Sequence, residues 1–157
     1  MITRKATTDD IPEIVRVINL AYRVEDFFVT GDRTNFDEIA GRLSDANSAI
    51  LVVDAAEPAL AAAVCVDVRD ERGHFAMLSV DPASQGTGLG RALVTAVEEY
   101  CRNSGCTALD LEVVNLRTEL PPFYEALGFS RAETAPFTPA SKLRRDAHLI
   151  RMTKQLQ

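Results

Sequence analysis

Apolar residues recur along the chain with two periods, and the switches between them mark out the elements. Ile11, Ile14, Val15, Ile18 and Tyr22 fall three or four apart, the spacing of one helix face. A first helix is therefore expected from an N-cap at Thr7 or Thr8 to about Val24, with Asp9, Asp10 and Glu13 at its positive end. It follows a short strand, Ile2 to Ala6. Glu25 to Thr34 breaks the period and reads as a loop, and a second short helix covers about Phe36 to Leu43. The apolar runs Ala49 to Val53 and Ala59 to Val68, parted by Glu57-Pro58, predict an antiparallel hairpin. The loop Asp70 to Gly73 leads into a strand, His74 to Val80. Leu89, Ala92, Leu93, Ala96, Val97, Tyr100 and Cys101 return to helical spacing, and Gly105 stops that helix after about Asn103.

Ala108 to Val114 alternates, with Leu109, Leu111 and Val113 on one face and Asp110, Glu112 and Val114 on the other. Pro121 and Pro122 suit the first turn of a short helix carrying Phe123, Tyr124 and Leu127, which Gly128 ends. Strands at about Phe129 to Thr134 and His148 to Lys154 finish the chain. The order β-α-α-β-β-β-α-β-α-β-β predicts an α/β (α+β) sheet covered on both sides.

The 157 residues are the size of one domain, and at 46% hydrophobic and 25% charged the composition is globular. A single domain over residues 1–157 is expected, with no signal peptide or membrane span, hence a cytoplasmic protein. Cys65, Cys101 and Cys106 lack metal or redox spacing and read as reduced, partly buried thiols. No cluster of His, Cys and carboxylates has metal-ligand spacing, so no metal is expected. A net charge of −6 speaks against a nucleic-acid partner. The end of the chain is basic nonetheless: Lys142, Arg144, Arg145, Arg151 and Lys154 face one acid, Asp146. These residues form either a solvated strand or a contact to phosphates.

The most informative segment runs from Leu78 to Leu93. A strand enters a turn with glycines at 86, 88 and 90, and the turn opens an amphipathic helix. Glycines let backbone N–H groups approach an anion, and the helix N-terminus adds partial positive charge. The segment has no lysine for a Walker A loop, and its G-x-G-x-G spacing differs from the dinucleotide fingerprint.

With Gln85, Gly88 and Gly90 in a Gln-x-x-Gly-x-Gly array, and Phe123-Tyr-Glu-Ala-Leu-Gly-Phe129 downstream, the chain resembles the GNAT superfamily of N-acetyltransferases. The resemblance implies a mixed, mostly antiparallel sheet of about seven strands with helices on both faces. It implies acetyl-coenzyme A as co-substrate and direct transfer to a primary amine of a small molecule or a protein N-terminus. Leu78, Ser79 and Val80 would meet the pantetheine arm, with the N–H near Leu78 polarising the thioester carbonyl. Gln85, Gly86, Thr87, Gly88, Leu89, Gly90 and Arg91 would hold the pyrophosphate. Tyr124 would protonate the departing thiolate. Where many members have an asparagine seven residues before the tyrosine, this chain has Arg117, with Asn115 nearby.

A protonated amine must lose its proton before it attacks, and Glu112, twelve residues before Tyr124, is the candidate base. Glu25 and Asp26 are weaker candidates for the base; the resemblance places them, with Phe27 and Phe28, on the acceptor side, the alternative being a solvated loop that tucks in the two phenylalanines. His74 and His148 could also act as bases, but each is isolated in a strand pattern and reads as structural. A catalytically degenerate module that binds coenzyme A or a protein partner is the alternative, and homodimerisation is left open.

Overall fold

The computed structural model describes residues 2–157; Met1, the first residue of the expected domain, lies outside them. Its elements are β1 (Thr3–Lys5), α1 (Ile11–Ala21), α2 (Phe36–Ser44), β2 (Ser48–Asp54), β3 (Leu60–Arg69), β4 (Arg72–Val80), α3 (Leu89–Asn103), β5 (Ala108–Val114), α4 (Leu120–Ala126), β6 (Ser130–Pro136) and β7 (His148–Gln155). The order matches the one read from periodicity. Among the described residues the strands form one seven-stranded sheet, in the order β1-β2-β3-β4-β5-β7-β6. All pairings are antiparallel except β4 with β5.

Both faces of the sheet are covered, so the central strands read as continuous apolar runs. On one side Ile11, Ile14, Val17 and Ile18 of α1 and Ile39 of α2 pack on Ile50, Val52, Ala63 and Met77. On the other, Leu89, Leu93, Val97 and Cys101 of α3 and Tyr124 of α4 pack on Leu51, Val64, Phe75, Leu109 and Leu111. Leu109, Leu111 and Val113 share that second core, as their alternation predicts.

Two boundaries and the burial of the cysteines differ from expectation. The first helix ends at Ala21 and tightens into a 3-10 turn, Tyr22–Glu25. The N–H groups of Phe28 and Val29 return to the Glu25 carbonyl (3.0 and 3.1 Å), which turns the chain and buries Phe28 completely. Arg72 and Gly73 are strand residues rather than loop, because they pair with Arg69 and Val68 across a tight turn at Asp70–Glu71. The cysteines are buried rather than partly buried, and burial pushes Cys65 and Cys101 up to about 12, so neither is a thiolate at neutral pH. No helix among the described residues is long and apolar enough to cross a membrane.

Candidate active site

The glycine turn is assembled by short-range bonds. Asp81 accepts from the Ala83 N–H (2.9 Å) and pairs with Arg16 (3.0 Å), fixing the 3-10 turn Pro82–Ser84. The Thr87 hydroxyl donates to the Ser84 carbonyl (2.6 Å), closing the loop. Gly86 and Gly88 both sit at φ 82°, where a side chain is strained, and a Cβ on either would meet nothing within 4 Å. The concave side of the turn is therefore open. Gly88 caps α3, whose first N–H groups have no partner inside the helix. The turn is thus an open cradle of donors at the positive end of a fifteen-residue helix.

The strand before the turn is split from its neighbour. β4 and β5 pair only where Arg72–His74 meets Ala108–Asp110, and beyond that they part. Further along, past the end of that pairing, β4 bulges against β3: Ala63 faces Ser79 while Cys65 faces Ala76, so Met77 and Leu78 together oppose Val64. Met77 takes up the extra residue at φ 57°. The Asp81 N–H donates to the Ala61 carbonyl on the β3 side (2.8 Å). Because backbone groups alternate along a strand, Ser79 faces β3 as well, whereas Val80 and Leu78 present theirs to the gap left by β5. Ser79 is buried and its hydroxyl donates to the Met77 carbonyl (3.0 Å), which braces the bulge.

This gap is a cavity of about 390 Å³. It brings together Leu78, Val80, Gln85, Gly86, Gly88, Leu89, Gly90 and Arg91 with Glu112, Arg117 and Tyr124. Thr87, Ser79 and Asn115 are not among its lining residues. Tyr124 is 4% exposed, packed edge-on against Phe123 and Phe129 and tilted against Phe75. Burial pushes its phenol well above the ordinary tyrosine range, so it keeps its proton at neutral pH. None of the described hydrogen bonds uses the Tyr124 hydroxyl, and no buried side-chain oxygen among the described residues lacks a partner. That hydroxyl therefore opens on the cavity. The basic residues near the end of the chain, Lys142, Arg144, Arg145, Arg151 and Lys154, do not line this cavity.

A second cavity, about 700 Å³, lies across the sheet gap and shares Tyr22, Phe75, Met77 and Glu112 with the first. Glu25 and Asp26 line it, as does Lys142. Phe27 and Phe28 do not: Phe27 is 47% exposed beneath Arg145, and Phe28 belongs to the interior. Glu25 is buried, and burial raises its pKa against the pull of Arg117, which donates to it at 2.9 Å. Arg117 also donates to Glu119 (2.9 Å). Asn115 turns the other way, accepting from the His148 N–H (2.8 Å) to fasten β7.

Glu112 lies at the junction of the two cavities. His74 Nε2 is 2.9 and 3.1 Å from its two oxygens, and Arg151 is 3.8 Å away. The bond from His74 holds the Glu112 carboxyl below its usual range, outweighing burial. Read in one dimension, His74 and Tyr22 are a strand residue and a core helix residue. Only the parallel β4–β5 register and the meeting of α1 with the sheet gap place them at the site.

The chain matches the model of the acetyltransferase (GNAT) family over residues 16–129. It is 36% identical over 105 residues to the mycothiol acetyltransferase of Kineococcus radiotolerans, an alignment covering 65% of this chain and 34% of that protein. The alignments span 20% to 46% of the length of the curated relatives, less than half in every case. Among solved structures it resembles the ribosomal-protein-alanine N-acetyltransferase of Brucella melitensis (TM-score 0.80, 20% identity, 99% of this chain and 100% of that one). It also resembles yncA of Salmonella typhimurium, solved with its cofactor acetyl-CoA (TM-score 0.78, 21% identity, 99% and 94%). With the family model spanning the glycine turn, the split strands and Tyr124, the chain belongs to the GNAT acetyltransferase family.

Proposed function

We propose that this chain is an acetyl-coenzyme A-dependent N-acetyltransferase that moves an acetyl group to a primary amine by direct attack. The observation that carries the reading is a single cavity, into which open the left-handed Gly86/Gly88 turn, the unpaired edge of Leu78 and Val80, and Tyr124. The names of the curated relatives state acetyl transfer. When bound, acetyl-coenzyme A supplies an activated thioester. The open N–H groups from Gly86 to Arg91 bind its pyrophosphate, with the Arg91 guanidinium beside them. The Leu78 and Val80 edge bonds the amides of the pantetheine arm, and the Leu78 N–H polarises the thioester carbonyl. Arg117, which reaches this cavity where Asn115 does not, lines the arm's path.

The acceptor enters from the larger cavity. Glu25, Asp26, Asp32, Glu38 and Glu112 line its approach against Arg23, Arg33 and Lys142, and an excess of carboxylates suits a cationic amine. Glu112 takes the ammonium proton, directly or through one water, the amine nitrogen bonds to the carbonyl carbon, and the carbon–sulfur bond breaks. Tyr124 gives its proton to the departing thiolate, and the second proton that the nitrogen sheds on becoming an amide restores, in net, the one Tyr124 gave. Thr87 and Ser79 shape the turn and the bulge, and Phe28, with Phe27 edge-on against it, anchors the segment that carries Glu25.

The acceptor is a small molecule or a protein N-terminus. The reading places a single acetyltransferase domain over residues 1–157 in the cytoplasm, and the net charge of −6 disfavours nucleic acid as a partner. The test is calorimetry with coenzyme A, followed by thiol release from acetyl-coenzyme A against a panel of small amines and short peptides with free N-termini. Binding with release dependent on one amine class supports the reading. No coenzyme A binding sinks it, and binding without release for any amine makes the chain a coenzyme A-binding module.

A further inference from the structure

Glu112 has one neighbour that the transfer chemistry itself does not require. His74 projects from β4 onto the face of the sheet shared by Asp110 and Glu112, just where the β4–β5 pairing ends. It lines neither cavity, yet its Nε2 spans both oxygens of Glu112 at 2.9 and 3.1 Å. An ionised carboxylate can only accept, so Nε2 carries the hydrogen and donates. A glutamate with two side-chain torsions beyond Cβ would otherwise sample several rotamers at an open gap. The bond to His74 removes that freedom, while Glu112 itself lines both cavities.

The other charges around the pair are already engaged. Asp110, on the same strand, is clamped by Arg72 at 2.7 and 2.8 Å. Arg151 on β7 stands 3.8 Å from Glu112 and closer, at 3.2 Å, to Glu133 of β6. Asp67, across from His74 on β3, is held by Arg42 at 3.5 Å and by Ser48. Glu25, Asp26 and Glu38 line the larger cavity with Glu112, and Glu25 is bound to Arg117. His74 is the nearest cationic or donor side chain to the Glu112 carboxylate among the described contacts.

We propose that His74 is the positioning residue of this site: it fixes the orientation of the Glu112 carboxylate for proton removal from the acceptor amine. The role rests on the assignment of Glu112 as base. His74→Phe keeps a ring and removes the donor, while His74→Gln returns a neutral N–H donor of similar reach. Two readouts separate the outcomes. The first is a carbon-13 NMR titration of the Glu112 carboxyl, its signal assigned by its loss in Glu112→Gln. This readout needs no turnover.

The midpoint in His74→Phe should lie at higher pH than in the parent, because the main stabiliser of the ionised form is gone while burial remains. His74→Gln should fall between the two. The second readout is the pH profile of kcat/KM. Its acid limb should move up in parallel, so the loss at about pH 5 exceeds that at about pH 8, with KM for acetyl-coenzyme A unchanged. An unmoved midpoint in a folded His74→Phe overturns the role, as does a rate loss uniform in pH. If the parent turns over no amine, the proposed activity fails, while the titration still decides for or against the pair. Should His74→Phe not fold, His74→Asn, too short to reach Glu112, replaces it.

Discussion

The cradle makes a paired prediction about two glycines two residues apart. Gly88 sits at φ 82° as the cap of α3, and a Cβ there meets nothing within 4 Å. Gly88→Ala therefore costs only backbone strain, about 1–2 kcal/mol for an L-residue forced into the left-handed region. At about 2–4 °C per kcal/mol for a chain of this size, Tm should fall by about 2–8 °C. Gly90 lies in the first turn of α3 without positive φ, and its added Cβ would stand 3.6 Å from Phe123 Cζ, an ordinary contact. Gly90→Ala should leave the free protein unchanged or up to about 1 kcal/mol more stable. Coenzyme A binding should nevertheless weaken in both, because each methyl stands on the lining of the cavity through which a pyrophosphate must approach the backbone. A loss of ~10-fold corresponds to about 1.4 kcal/mol. Thermal unfolding followed by circular dichroism gives the first quantity and calorimetry the second. If folded Gly88→Ala and Gly90→Ala both bind coenzyme A as the parent does, the turn is a surface feature and the cradle is wrong.

Tyr124→Phe should retain coenzyme A affinity and lose roughly 10²–10⁴-fold in turnover at saturation, the range of general acid catalysis; full turnover would reduce Tyr124 to a packing residue. Glu112→Gln should lower the rate more at neutral than at alkaline pH, where the amine sheds its proton unaided, and an equal loss at every pH would argue for positioning alone. Arg117→Met should destabilise the fold by about 3 kcal/mol by stranding the buried Glu25 carboxylate. Burial already raises the pKa of Glu25 in the folded state, so protonation favours the fold, and the deficit should shrink as pH falls into the acid range. Urea unfolding of parent and variant at neutral and acid pH measures both the deficit and its sign.

The sequence by itself determined the order of elements and the cradle, because both are local. The 3-4 spacing of Leu89 to Cys101, the alternation of Leu109, Leu111 and Val113, and glycines at a strand-to-helix turn act over a few residues, and the chain needs no distant partner to express them. Tertiary structure decided what faces the cavity. The parting of β4 from β5 beyond His74 rests on a register between strands 36 residues apart, as Arg72 meets Ala108, and the bulge at Met77 on the register of β4 with β3. No periodicity encodes that. The same long-range placement joins His74 to Glu112 and Arg117 to Glu25. It sends Asn115 to β7 and seals Phe28 inside while Phe27 remains out. Charge and residue type show which side chains have chemistry to offer, and the sheet's geometry selects the few that meet.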